Sequence, residues 1–252
     1  MGTGLRRQGY HDRFNRFLFR MARLPRLIVP SHPHYVIQRG LNGQAVFQDT
    51  DDYTAFLAWL RTAARTYKVA IHAYALLPDQ LHLLVTPSDE DGLGQMMQWL
   101  GRCYVPYYNQ KYGRAGTLWH GRYKTSVVDG DNFLLACCRY MEAAPVRTGL
   151  VPAAEEYPWS SYAHHAGIRP DGVVTDHPAY WSLGNTPFQR EAAYIELTGQ
   201  YLTTAQIATI EAAVLKGWPL GTDKYKKDLE QKAKRQVLPA KRGRPFKQTQ
   251  PT

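Results

Sequence analysis

The sequence is poor in cysteine. Cys103, Cys137 and Cys138 are the only three in 252 residues, and none forms a C-x-x-C pair. Three thiols cannot build a disulfide framework, so a reducing compartment is expected, the cytoplasm first. Long apolar runs are missing as well. No window approaches the ~18 consecutive apolar residues that a membrane-spanning helix needs. The basic N-terminus has no apolar stretch, which argues against a secretory signal there. Acidic residues are the third scarcity: 21 Asp and Glu face 31 Lys and Arg, a formal charge of +10. That imbalance points to a polyanionic partner, nucleic acid ahead of a membrane surface. Seventeen tyrosines supply stacking surfaces beside the charge. With 44% apolar residues the chain can still bury a core, which excludes wholesale disorder.

The chain divides by texture into four stretches. Residues 1–20 carry five Arg and little apolar periodicity. They read as a basic flexible arm, or as a product of start-site choice, since Met21 offers a second start. Residues 21–170 read as the main domain. HYVIQRG (34–40) has the β-branched content of a strand. Residues 51–68 form a helix whose stripe is Tyr53, Phe56, Leu57, Leu60, Ala64 and Tyr67, with Asp51 and Asp52 at its positive end. VAIHAYALLP (69–78) and QLHLLVTP (80–87) read as antiparallel strands joined at Pro78-Asp79. Residues 92–113 form a helix with the stripe Leu93, Met96, Met97, Leu100 and Tyr104, which Pro106 should kink or break. GRYKTSVVD (121–129) reads as a strand, and 131–144 as a helix stopped by Pro145. The order β-α-β-β-α-β predicts an α+β, ferredoxin-like sheet followed by a tyrosine-bearing helix. Residues 171–222 read as a helical extension with helices at 187–199 and 204–216. Residues 223–252 form a basic tail, helical at its start, with ten Lys and Arg against three acids.

Two residues stand out chemically. Strand alternation places Gln80 and His82 on one face, about 7 Å apart. A second imidazole at 80 would make a metal half-site; with Gln there, His82 reads equally as a core-edge histidine bonded to backbone. Tyr140 lies near the end of its helix, either packed with a wet hydroxyl or poised as a nucleophile toward a phosphodiester. Trp119-His120-Gly121-Arg122-Tyr123-Lys124 mixes aromatics with cations, as single-strand binding surfaces do, and Arg39 is a candidate phosphate ligand. The alternative is a solvated basic edge with a packed Trp. Lys241-Arg242-Gly243-Arg244-Pro245 is similar to an AT-hook core, in which Arg242 and Arg244 would enter a minor groove. Non-specific phosphate binding would use the same charges.

Six stretches together resemble the REP-associated tyrosine transposases, single-strand nucleases of the His-hydrophobic-His class. They are HYVIQRG (34–40), VFQDTDDYTAFL (46–57), HAYALLPDQLHLLVTP (72–87), YGRAGTLWHGRYKTSVV (112–128), YMEAAPVRTGLV (140–151) and YPWSSYAHH (157–165), in the family's order. The resemblance implies a ferredoxin-like catalytic domain acting on single-stranded or hairpin DNA, with Mg²⁺ or Mn²⁺ and a 5′-phosphotyrosine intermediate. It also suggests a homodimer. It places the nucleophile at Tyr140 and the second metal histidine at His82. Gln80 stands where the first histidine is expected, Ala144 where an Asn often stands, and Asp79 in place of a common Asn. The expectation is therefore a transposase-like DNA-binding protein that cleaves and rejoins strands. The competing expectation is a DNA-binding module that keeps the fold without the chemistry.

Overall fold

The computed structural model describes residues 26–233 and 236–237. The expected arm at 1–20 and the AT-hook-like segment with Arg242 and Arg244 lie outside the described residues.

Four strands form one antiparallel sheet: β1 (His34–Arg39), β2 (Val69–Leu77), β3 (Gln80–Pro87) and β4 (Lys124–Val127), in the spatial order β2-β3-β1-β4. This is the ferredoxin-like arrangement expected from the order of elements. Leu77 pairs with Gln80 across the two-residue turn. The expected strand over 121–129 is shorter, because Gly121 takes a positive φ of 70° and turns the chain before Lys124.

Both faces of the sheet are covered. One face carries α1 (Thr50–Thr66) and α2 (Gly92–Lys111). Asp49 caps α1 by accepting from the Asp51 and Asp52 amides, leaving Tyr53, Phe56, Leu60 and Ala63 to bury. All five residues of the expected α2 stripe are buried, against Val36, Leu81, Leu83 and Val85 of the sheet. The buried Asp52 carboxylate accepts from Lys111 Nζ at 2.9 Å, which ties the start of α1 to the end of α2. Pro106 lies inside α2 without breaking it, and the helix runs on to Lys111. Proline removes a bond to the carbonyl four residues back, that of Arg102. Both Arg102 and Pro106 are exposed, so water replaces the lost bond while Tyr104 and Tyr108 hold the helix to the core.

The opposite face carries α3 (Gly130–Glu142), and the chain after it wraps the same layer. A bulge between Ile71 and Ala73 resets the alternation of β2, so that Ala73 and Ala75 face α3. Two methyl side chains there let α3 lie close to the sheet. The helix expected over 131–144 ends at Glu142, capped by Ala143, and Pro145 instead lies in the first turn of a short helix, α4 (Ala144–Arg147). Short turns α5 (Tyr162–His165) and α6 (Pro178–Trp181) follow. Then come α7 (Pro187–Gly199) and α8 (Thr204–Lys216), with the boundaries read from the sequence, and α9 (Asp223–Ala233). Thr186 and Thr203 each form a capping box, which fixes both starts. Tyr180, Tyr194, Ile210 and Val214 of this segment share one apolar cluster with Cys137 and Met141 of α3.

Candidate active site and nucleic-acid groove

Register decides what meets at the α3 face. Ile37 pairs with His82, Arg39 with Gln80, and Ile37 again with Lys124 on the other side. Residues directly opposite share a face, so Tyr35, Ile37, Arg39, Gln80, His82 and Lys124 all point toward the α3 layer. A slip of one residue would send this whole set into the α1–α2 core.

His82 is 3% exposed. The Tyr35 hydroxyl lies 2.8 Å from its Nδ1, and Nε2 has no partner among the described residues. Tyr35 is fully buried, and burial keeps its phenol protonated, so a neutral hydroxyl and Nδ1 share this hydrogen bond. Burial, then the Arg147 and Arg39 charges, push the His82 pKa down to about 3. His82 is therefore a neutral ring whose partner is a side chain, not the expected backbone group.

Tyr140 sits across from it on α3. The two rings are 6.5 Å apart, and Tyr35 packs 6.1 Å from Tyr140. The Tyr140 hydroxyl donates to Glu211 Oε1 of α8 at 2.9 Å. Burial and that hydrogen bond push its pKa up to about 12. Arg147 lies 4.2 Å from the Tyr140 ring centre and donates to its carbonyl at 2.6 Å. Two residues further along α3, buried Glu142 accepts from the Ser161 and Tyr194 hydroxyls and contacts His165 Nδ1 at 2.8 Å. This network fixes the C-terminal end of α3, and with it the height of Tyr140 over the sheet.

Between Tyr140 and His82 is a cavity of about 20 Å³, walled also by Arg39, Glu211, Val214 and Leu215. That is room for one water. Leu215 also lines a much larger groove of about 760 Å³ beyond the β4 edge. Arg26, His120, Arg122 and Lys124 line the groove together with Lys216 and Trp218 from the chain leaving α8. Thr125 lines it too, with a buried hydroxyl that has no partner among the described residues. Of the residues expected to contact DNA, His120, Arg122 and Lys124 are exposed here, and Arg39 lies by the smaller cavity. Trp119 departs from expectation. It is 7% exposed and packs 6.2 Å from Tyr104, so its ring is part of the core and offers no stacking platform.

Residues 32–144 match the family described as Transposase IS200 like. Over this stretch, a little under half of the chain, the sequence is similar to the IS200-like transposases. The chain is also similar to a solved REP-associated tyrosine transposase bound to a REP hairpin, at 18% identity and TM-score 0.48, covering 63% of this chain and 96% of that one. A bacterial tRNA(His) guanylyltransferase (Thg1)-like protein in complex with GTP is similar at 16% identity and TM-score 0.34, covering 56% and 77%. No curated protein matches the chain.

The domain's donor set does not fit a bound divalent ion. Gln80 Oε1 accepts from Arg39 Nε at 3.0 Å, so this amide oxygen is already engaged. Ala144 packs with Leu77 and Tyr157, in a separate cluster from Tyr140. The Glu211 carboxylate is occupied by Tyr140. Among the described residues, no three His, Cys, Asp or Glu side chains converge. His82 Nε2 alone is left, and one imidazole is a weak anchor. Sequence reasoning missed Tyr35, Arg147 and Glu211. Arg147 follows the expected nucleophile by two helical turns, a signal that was readable; Glu211 is 71 residues away and carried none.

Proposed function

We propose that this domain binds single-stranded or hairpin DNA and cleaves it through Tyr140. The observation that carries this reading is the placement of the Tyr140 phenol, His82 and Arg39 around one cavity that adjoins a cation-lined groove. The match of residues 32–144 to the IS200-like transposases supports the class of reaction. The six stretches that resemble REP-associated tyrosine transposases point to a single-stranded or hairpin substrate.

In this reading the groove holds the strand. His120, Arg122, Lys124 and Lys216 neutralise phosphates, and Trp218, half-buried, offers an edge for a base. The scissile phosphate lies between Tyr140 and His82. His82 Nε2 donates to a non-bridging oxygen, and the Arg39 guanidinium faces the charge that builds on the phosphate. The Tyr140 oxygen attacks phosphorus, the 3′ oxygen departs, and the strand stays linked through its 5′ phosphate. A phosphodiester needs more room than one water, so the Val214 and Leu215 side chains must move aside to admit it.

A second reading, DNA binding without cleavage, draws on the small cavity and the missing second imidazole. One experiment separates the two. The protein is incubated with a hairpin oligonucleotide built on a palindromic repeat flanking its gene, with single-stranded ends. We expect a covalent protein–DNA band on a denaturing gel, absent for Tyr140→Phe. Hairpin binding with no band would establish the second reading.

A further inference from the structure

The Tyr140 hydroxyl is bonded to a carboxylate that lies outside residues 32–144. We propose that Glu211 is the general base that takes the phenolic proton as Tyr140 attacks the phosphodiester. The inference rests on the reading of Tyr140 as nucleophile and adds a catalytic group to it.

Three observations carry it. The first is contact: Glu211 Oε1 is 2.9 Å from the Tyr140 hydroxyl, the distance of direct proton transfer. The second is access. Tyr140 is buried, whereas Glu211 is exposed, so the carboxylate can pass the proton on to water. The third is need. The phenol's pKa stands near 12, so at neutral pH almost none is ionised, and free phenolate would be a rare species. A carboxylate removes this obstacle without being a strong base, because the phenol's acidity rises steeply once its oxygen begins to bond to phosphorus. Kinase aspartates accept a substrate hydroxyl proton in the same way. His82 is unsuited to this role, since its Nδ1 is taken by Tyr35 and its Nε2 makes no hydrogen bond to the Tyr140 hydroxyl.

The step balances. The Tyr140 oxygen–phosphorus bond forms and the phosphorus–O3′ bond breaks. The phenolic proton moves to Glu211, and a proton reaches the departing 3′ oxygen by way of water, which regenerates the carboxylate. Arg147, against the other side of the ring, favours the anionic phenol as the proton leaves.

The geometry allows a contrary role, in which Glu211 merely latches Tyr140 in place, and the test distinguishes the two. Covalent adduct formation is measured under single-turnover conditions at saturating hairpin oligonucleotide for wild type, Glu211→Gln, Glu211→Asp and Tyr140→Phe. Because Glu211 is exposed and Tyr140→Phe removes only a hydroxyl, all are expected to fold, as checked by thermal unfolding. We expect Glu211→Gln to slow the adduct by about 10²-fold or more, with hairpin affinity unchanged, and Glu211→Asp to fall between. The residual rate of Glu211→Gln should climb about tenfold per pH unit between 7 and 9, since the phenol must then ionise unaided, while the wild-type rate stays nearly flat. A Glu211→Gln rate equal to wild type overturns the inference, and a faster one establishes the latch. If wild type forms no adduct, the nucleophile reading falls and the base falls with it. An adduct in wild type that Tyr140→Phe abolishes, with Glu211→Gln unaffected, overturns the base alone.

Discussion

Glu142 shows how much a single residue carries here. It is 1% exposed and collects hydrogen bonds from Ser161, Tyr194 and His165 two positions after Tyr140. Glu142→Ala should cost about 3–5 kcal/mol in urea unfolding, because it strands three buried polar partners. A loss under 1 kcal/mol would mean that the network does not hold α3. Gln80 makes the opposite case, a residue whose present partner is weak. Its contact with Arg39 is exposed, so Gln80→His should fold normally. It would add an imidazole on the face of His82, and Mn²⁺ affinity measured by calorimetry should rise at least tenfold. Unchanged Mn²⁺ binding would show that the 80 and 82 side chains do not converge. The face that His82 occupies was legible in the sequence, because strand alternation fixes it. The state of its ring was not, since neutrality follows from burial under α3 and from the Arg147 and Arg39 charges, which no local pattern announces.

At the scale of elements, the sequence announced the strands and most helices through their periods and caps. The starts of α7 and α8 were readable because Thr186 and Thr203 cap them. What no local pattern could announce was where α8 docks. It lies against β4 and the Tyr140 cavity, bringing Val214, Leu215 and Glu211 to the site. Trp119 was misread for a related reason: a Trp among cations looks like a stacking platform until the bridge from Gly40 to Trp119 turns its ring inward. The placement of α8 also gives the groove its second wall. Lys124→Glu and Lys216→Glu, on opposite walls, should each weaken hairpin binding and reduce the slope of log affinity against log salt by about one. Slopes that match wild type would remove the groove from the DNA path.

Across the whole molecule, three buried histidines share one behaviour. Burial holds His34 and His72 near pKa 4 and His82 near 3, against an ordinary 6.5. Their folded forms are neutral, while the unfolded chain binds protons at each below pH 6.5. Stability is therefore fully present above about pH 6.5 and is lost as the pH falls toward 4. By pH 5 each ring should have withdrawn about 2 kcal/mol. Urea midpoints should drop steeply between pH 7 and 5, and His72→Gln should flatten that fall. A midpoint constant over this window would show that these rings are not buried as described. In the proposed reading, the fold holds Tyr140 of α3 against His82 of β3 beside the adjoining groove. Peptide mapping by mass spectrometry after incubation with the hairpin oligonucleotide tests that claim most directly. The expected product is a nucleotide attached through phosphate to the peptide containing Tyr140, and to no other tyrosine. Attachment at a different residue, or strand cleavage with no protein-linked product, would contradict it.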